Sequence, residues 1–161
     1  FLTGLIEFRS EFFVQSSKGS RRLQREPRRK GLPRSVLPRR IGVLVACDHQ
    51  DHVVTAVQHH ARPDVEELER VLEGRLRKGC ILLDAWGRFG PTARFARLKG
   101  IERQDVRDSG STGLYLRRAW AYGRRLKKWL VRFRGVATKH LPNYLAWHIW
   151  IDSLDGRCCR T

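Results

Sequence analysis

The residues best able to do chemistry in this sequence are its arginines. Lys and Arg number 33 against 16 Asp and Glu, a formal net charge of +17, and all but seven of the 33 are Arg. A planar guanidinium forks onto phosphate and stacks on bases, whereas an ammonium is a hydrated point charge. The cations are also clustered: Lys18 to Arg40 holds ten with a single acid, Glu26, and Arg117 to Lys139 holds nine with none. Solubility alone rarely needs charge so one-sided, and nucleic acid is the expected partner. Lys18, Arg21, Arg22, Arg28 and Arg29 in the first cluster, with Arg124, Arg125, Lys128 and Arg132 in the second, are the candidate DNA contacts. A solvated helix face would account for one cluster; two favour a surface that tracks phosphates.

The carboxylates say less. Asp84 closes the apolar run Cys80 to Leu83, and a carboxylate at a strand end sits where ligands and metals collect. The same residue could simply turn the chain ahead of Trp86-Gly87. Asp48 opens a turn, and His49, His52, His59 and His60 crowd one region, but His59-His60 on a strand end point to opposite faces and most of the four are expected at the surface. Cys47 and Cys80 lie in apolar runs and are expected as core thiols, no pair has zinc spacing, and the adjacent Cys158 and Cys159 suggest no disulfide framework. That usage points to a reducing, intracellular setting. No apolar run is long enough to span a bilayer, and Phe1 to Ile6 is too short for a signal peptide. A chain that starts at Phe1 and holds no Met is expected to be a fragment or a decayed reading frame.

These residues need elements to position them. With 41% hydrophobic and 30% charged residues, residues 1–161 suit a single domain with a real core. Ile6 to Val14 is expected as a strand, followed by a basic loop over 18–40 broken by Pro27, Gly31, Pro33 and Pro38. Ile41 to Cys47 and His52 to Val57 form a hairpin whose first strand is buried on both faces. Asp64 caps a helix with Val65, Leu68, Leu72 and Leu76 on one side, ended by Gly79. A short strand to Asp84, a helix over Pro91 to Leu98 and a strand near Ile101 to Val106 follow, with a flexible break at Gly110 to Gly113. From Arg117 to Arg134, Ala119, Tyr122, Leu126, Trp129 and Phe133 define one buried stripe opposite a cationic face. Trp120 falls off that stripe. A last helix starts after Thr138 and presents Leu141, Leu145, His148 and Asp152 on one side. The fold class is α/β, a mixed sheet with flanking helices.

At this point the residues reach a resemblance. Phe12-Phe13, Ser16, Lys18-Gly19 and the Arg-rich loop, then Val43 to Ala46 with Asp48, then Asp84-Ala85-Trp86, are similar to bacterial insertion-sequence transposases of the DDE type. Tyr122, Arg125-Leu126-Lys127, Trp129, Phe133, Gly135 to Lys139, Leu141, Asn143 to Leu145 and Trp147 resemble the branch that uses Asn as its third catalytic residue with a Lys seven residues on. The resemblance covers essentially the whole chain, in pattern more than in residues between His59 and Gly79.

The resemblance implies a ribonuclease-H-like fold in which the first and fourth strands bring two Asp together around Mg²⁺ for in-line attack on a DNA phosphodiester. Residue by residue, Asp84 takes the second Asp position, as catalytic residue and metal ligand, and Lys127 the trailing Lys. The first Asp position holds Arg9, a cation where a dication should bind, and the Asn position holds Trp120, whose indole N–H cannot ligate metal. The implied protein is a degenerate copy, a transposase domain impaired in strand cleavage and transfer, cytoplasmic and nucleoid-associated, with self-association left open. A non-catalytic basic DNA-binding protein derived from a transposase is the alternative; a third version keeps the chemistry, with Glu7 or Glu11 standing in for Arg9.

Overall fold

The structure is a computed structural model that describes residues 1–19, 40–58, 63–87, 89–106 and 116–154. Its centre is a five-stranded mixed sheet in the order β3-β2-β1-β4-β5. β1 (Leu5–Val14), β2 (Arg40–Asp48) and β3 (Val53–Gln58) form an antiparallel meander, and β4 (Ile81–Asp84) and β5 (Glu102–Asp105) add in parallel on the far side of β1. This is the α/β, ribonuclease-H-like mixed sheet with flanking helices expected from the sequence. β2 is continuously apolar because both of its faces are covered: Leu44 and Ala46 enter one core, and Val43, Val45 and Cys47 the other.

The first core lies under α1 (Val65–Leu72) and α2 (Pro91–Lys99) and is built from residues such as Ile6, Phe8, Leu68, Leu72, Leu82 and Phe95. Asp64 caps α1, its side chain accepting from the Glu67 amide at 2.7 Å. The helix stops at Leu72, short of the Gly79 terminus that the spacing of Leu76 suggested. Beyond it Gly74 turns at φ +67°, and residues 75–77 pair with the N-terminal segment instead: the Leu2 amide donates to Arg75 O at 2.7 Å and the Arg77 amide to Leu2 O at 3.0 Å. Leu76 still packs on the core, now from a β-bridge to Leu2. A helical spacing cannot distinguish these two ways of reaching one apolar surface. α2 has Pro91 at its start and ends on Gly100 at φ +64°, the left-handed cap that a side chain would strain.

The second core lies under α3 (Arg117–Val131) and α4 (Leu141–Leu154), which is preceded by a 3₁₀ turn at Thr138–His140. Ala119, Tyr122 and Leu126 of the expected stripe are fully buried. Trp129 and Phe133 are half-buried in an aromatic cluster with Tyr144 and Trp147, ring centroids 4.8–6.1 Å apart, that joins the two helices. Leu130, outside that stripe, is buried as well. On α4 the buried residues are Leu141, Leu145, His148 and Asp152, the four that the sequence placed together. Cys47 and Cys80 are buried, as expected; Cys158, Cys159, His59, His60 and the break at Gly110 to Gly113 lie outside the described residues. Among the described residues no helix is long and apolar enough to cross a membrane.

Truncating a side chain that α3 drives wholly into the second core leaves a cavity. Leu126→Ala is expected to cost about 2–5 kcal/mol in urea unfolding; a loss near zero would mean that α3 is not docked on the sheet.

Candidate functional site

The side chains of β1 alternate across the sheet, so Glu7, Arg9 and Glu11 share the face beneath α3. Glu7, 7% exposed, reaches the start of that helix, where its Oε2 accepts from the backbone amides of Arg118 at 2.7 Å and Ala119 at 2.9 Å. The carboxylate therefore caps α3 from a strand more than a hundred residues away in sequence, doing what no N-terminal side chain of α3 does. Glu11, 3% exposed, accepts from Arg9 Nε at 2.6 Å and is ion-paired with Lys127 Nζ. Gly123 makes this possible: a Cβ there would stand 2.5 Å from Glu11 Oε1. Burial pushes the Glu7 carboxyl above its ordinary 4.5, the two amide hydrogen bonds and the Arg118 charge offsetting only part of the effect.

Asp84 occupies the position expected for it, the end of β4 beside β1. The parallel register sets Glu7 opposite Leu83, which puts Asp84 level with Phe8 and on the α2 face of the sheet, across from Arg9. It is fully buried and all of its acceptor capacity is used. Oδ1 accepts from the Trp86 amide at 2.6 Å and Arg103 Nη2 at 2.9 Å; Oδ2 accepts from Thr92 Oγ1 at 2.5 Å and Arg103 Nε at 2.7 Å. The fork from Arg103 is bidentate, and Arg103 also donates to Gly87 O and Asp105. These bonds to Asp84 hold the Arg103 guanidinium still further into its charged form. The residues present thus do not fit a magnesium ion. One carboxylate is saturated by a guanidinium, Arg9 stands where the resemblance expects the first Asp, and Trp120 points outward, 45% exposed, with Arg124 stacked 4.6 Å from its ring centre. Among the described residues no group of three or more His, Cys, Asp or Glu could hold a metal.

The candidate DNA contacts separate into two kinds. Arg124, Lys128 and Arg132 stand exposed along the outer face of α3. Arg125 is held from the side by Asp152 in a bidentate pair, 2.7 Å on each arm, and Lys18 donates to the carbonyls of Phe133 and Gly135 at 3.2 Å. Arg21, Arg22, Arg28 and Arg29 lie outside the described residues. Lys18 nevertheless matters for the arrangement. Together with hydrogen bonds between Ser16 and Thr138, it ties the chain at the entrance to the first cationic cluster to the C-terminal end of α3, which carries the second.

Asp48 is structural. Fully buried, it accepts from the amides of Thr3, Gln50 and His52 and lies 2.9 Å from His52 Nδ1, closing the β2–β3 hairpin. Burial alone would raise its carboxyl; the hydrogen bonds outweigh it and hold the group below its ordinary 3.8. Sequence inspection missed Arg103, Thr92 and Gly123. A signal for Arg103 existed: if Ile101 to Val106 is a strand beside Asp84, Arg103 and Asp105 share one of its faces. Compared with known protein families and curated proteins, the chain matches no family model and no curated protein.

The raised Glu7 pKa has a definite sign. An acid that binds its proton more tightly when folded makes the folded state lose stability as pH rises from 4.5 through the folded value. Glu7→Gln, which keeps an acceptor oxygen without the charge, is therefore expected to gain stability relative to the native chain as pH rises from 4.5 to neutrality. Urea midpoints of both proteins across that range check this, and a constant or shrinking difference would refute it.

Proposed function

We propose that this chain is a DNA-binding domain on a DDE-transposase scaffold whose strand-cleaving centre is closed. The observation that carries the reading is the row of exposed cations on the outer face of α3, at whose C-terminal end Lys18 is held by the Phe133 and Gly135 carbonyls. From that end the exposed Arg132, Lys128 and Arg124 run back along the helix, with Trp120 beside Arg124 offering a flat face to a base or sugar. Their chemistry suits the phosphate backbone of duplex DNA and carries no base-reading pattern. The family resemblance supports the transposase origin, and with it a nucleoid-associated place in a bacterial cytoplasm. Cleavage is the part the site chemistry argues against. Asp84 has no free lone pair directed at a cation, Arg9 would repel one, Glu7 spends its Oε2 on the Arg118 and Ala119 amides, and Glu11 is paired with Lys127 and Arg9.

Affinity for arbitrary duplex is expected to fall by ~10³–10⁵ between about 50 and 200 mM salt if roughly 6–10 phosphates are engaged. Replacing Arg124, Lys128 and Arg132 together by Ala should weaken binding uniformly across sequences and lower the slope by about one per lost phosphate contact. A flat salt response, or an unchanged triple variant, would remove the proposed interface.

For the closed centre, nicking of supercoiled DNA in Mg²⁺ or Mn²⁺ is expected to be absent from the native chain. Asp84-dependent nicking by that chain, at a level matching Arg9→Asp combined with Trp120→Asn, would show the centre to be live.

A further inference from the structure

We infer that the free edge of β3 is a self-pairing surface, on which two copies of this chain join antiparallel about a two-fold axis at Thr55 to make one continuous sheet. Among the described residues β3 is the terminal strand on its side. Its hydrogen-bond phase follows from the hairpin, where the Asp48 amide donates to His52 O and so makes the 48/52 pair a bonded one. Bonded and non-bonded pairs alternate along an antiparallel ladder. With Ala46 opposite Val54 and Leu44 opposite Ala56, the even residues of β3 spend their backbone groups on β2. Those of Val53, Thr55 and Val57 point the other way, toward the edge. An open groove of about 260 Å³ runs beside them, lined by Val53 to Val57, Arg75, and Pro142, Leu145, Ala146 and Ile149 of α4.

Three properties of this edge fit a second copy of the same strand. The five residues Val53-Val54-Thr55-Ala56-Val57 read almost alike in both directions, so antiparallel pairing centred on Thr55 sets Val53 against Val57, Thr55 against Thr55 and Val54 against Ala56, all favourable cross-strand pairs. The outward backbone groups then meet their own kind in register, donor to acceptor at every one of the three positions. Charge is the second property. Val53–Gln58 holds no ionisable residue in a chain of net charge +17, so the paired strands themselves bring no charges together, Arg75 being the one charged residue that lines the groove, and none of the Lys or Pro that blunt free edges stands in the strand. The third lies alongside. A two-fold axis perpendicular to the sheet keeps both α4 helices on the same side of it, and the groove-facing row of Pro142, Ala146 and Ile149 is uncharged and small enough for close approach to its own copy. This edge is separate from the outer face of α3, so pairing needs no DNA.

The experiment uses the full chain with Cys158→Ser and Cys159→Ser, leaving only the buried Cys47 and Cys80. Directly opposed residues of a bonded pair stand about 5.5 Å apart at Cα, inside the span of about 4.4–6.8 Å that a disulfide bridges. Thr55→Cys in this background is expected to form a reducible dimer under mild oxidation without nucleic acid. Val53→Cys, displaced four residues along the pair and so more than about 13 Å from its symmetry mate, is expected to form none. Sedimentation of the native chain supplies a readout free of any substitution. Its dimer fraction should rise with salt as like charge is screened, opposite in sign to the expected weakening of DNA binding. A native chain monomeric at all salt concentrations overturns the inference, as does cross-linking at position 53 equal to that at 55 or absent from both. Capture of a foreign strand on this edge, with no self-pairing, overturns it too.

Discussion

Two carboxylates four residues apart on one strand hold the outer layer of this protein to its sheet. Glu7 and Glu11 face the underside of α3, and neither could stay there charged without a partner, because burial removes the water that would solvate it. α3 supplies the partners: two backbone amides at its first turn for Glu7, and Lys127 with the room left by Gly123 for Glu11. These two attachments, at residues 118–119 and 127 and so about two turns apart along the helix, set its rotation as well as its position. With that rotation set, Tyr122 and Leu126 enter the core, while Arg124, Lys128 and Arg132 point to solvent. A cationic outer face is thus the consequence of an anionic strand beneath.

The same accounting operates across the sheet. In a chain with about twice as many cations as acids, several buried or half-buried carboxylates find a basic group nearby: Asp84 takes Arg103, Asp152 takes Arg125, Asp51 takes Arg118, and Asp48 takes His52. A metal centre needs carboxylates gathered and left with lone pairs to give, whereas here the acids are dispersed over both faces and their lone pairs are spent on guanidinium and amide donors. Among the described residues the surplus positive charge stands exposed on the outer face of α3, where it attracts polyanions and repels copies of the chain.

Much of the fold was legible because its signals are local. The both-sided apolar run of β2, the Pro91 to Gly100 bounds of α2 and the four inward residues of α4 each follow from periodicity or cap chemistry within a dozen residues. α1 was overextended because Leu76 satisfies a helical period while in fact bridging to Leu2, a partner 74 positions earlier. The site was harder. Asp84 was visible as a carboxylate at a strand end, but its meaning depends on Arg103, which comes from another strand and is placed by register alone.

From the sequence by itself came the order of strands and helices, the clustering of Arg into two segments, and the types of residue at the three positions that the transposase resemblance singles out. Those are properties of neighbours along the chain, where spacing and composition act directly. Only the tertiary structure decided that Arg9 and Asp84 look to opposite faces, that Glu7 serves as a helix cap, and that Lys18 is held at the C-terminal end of α3. Each of those facts depends on which groups are brought within hydrogen-bond reach across tens of residues. A carboxylate binds the donor that is near it in space, and no count along the chain measures that distance.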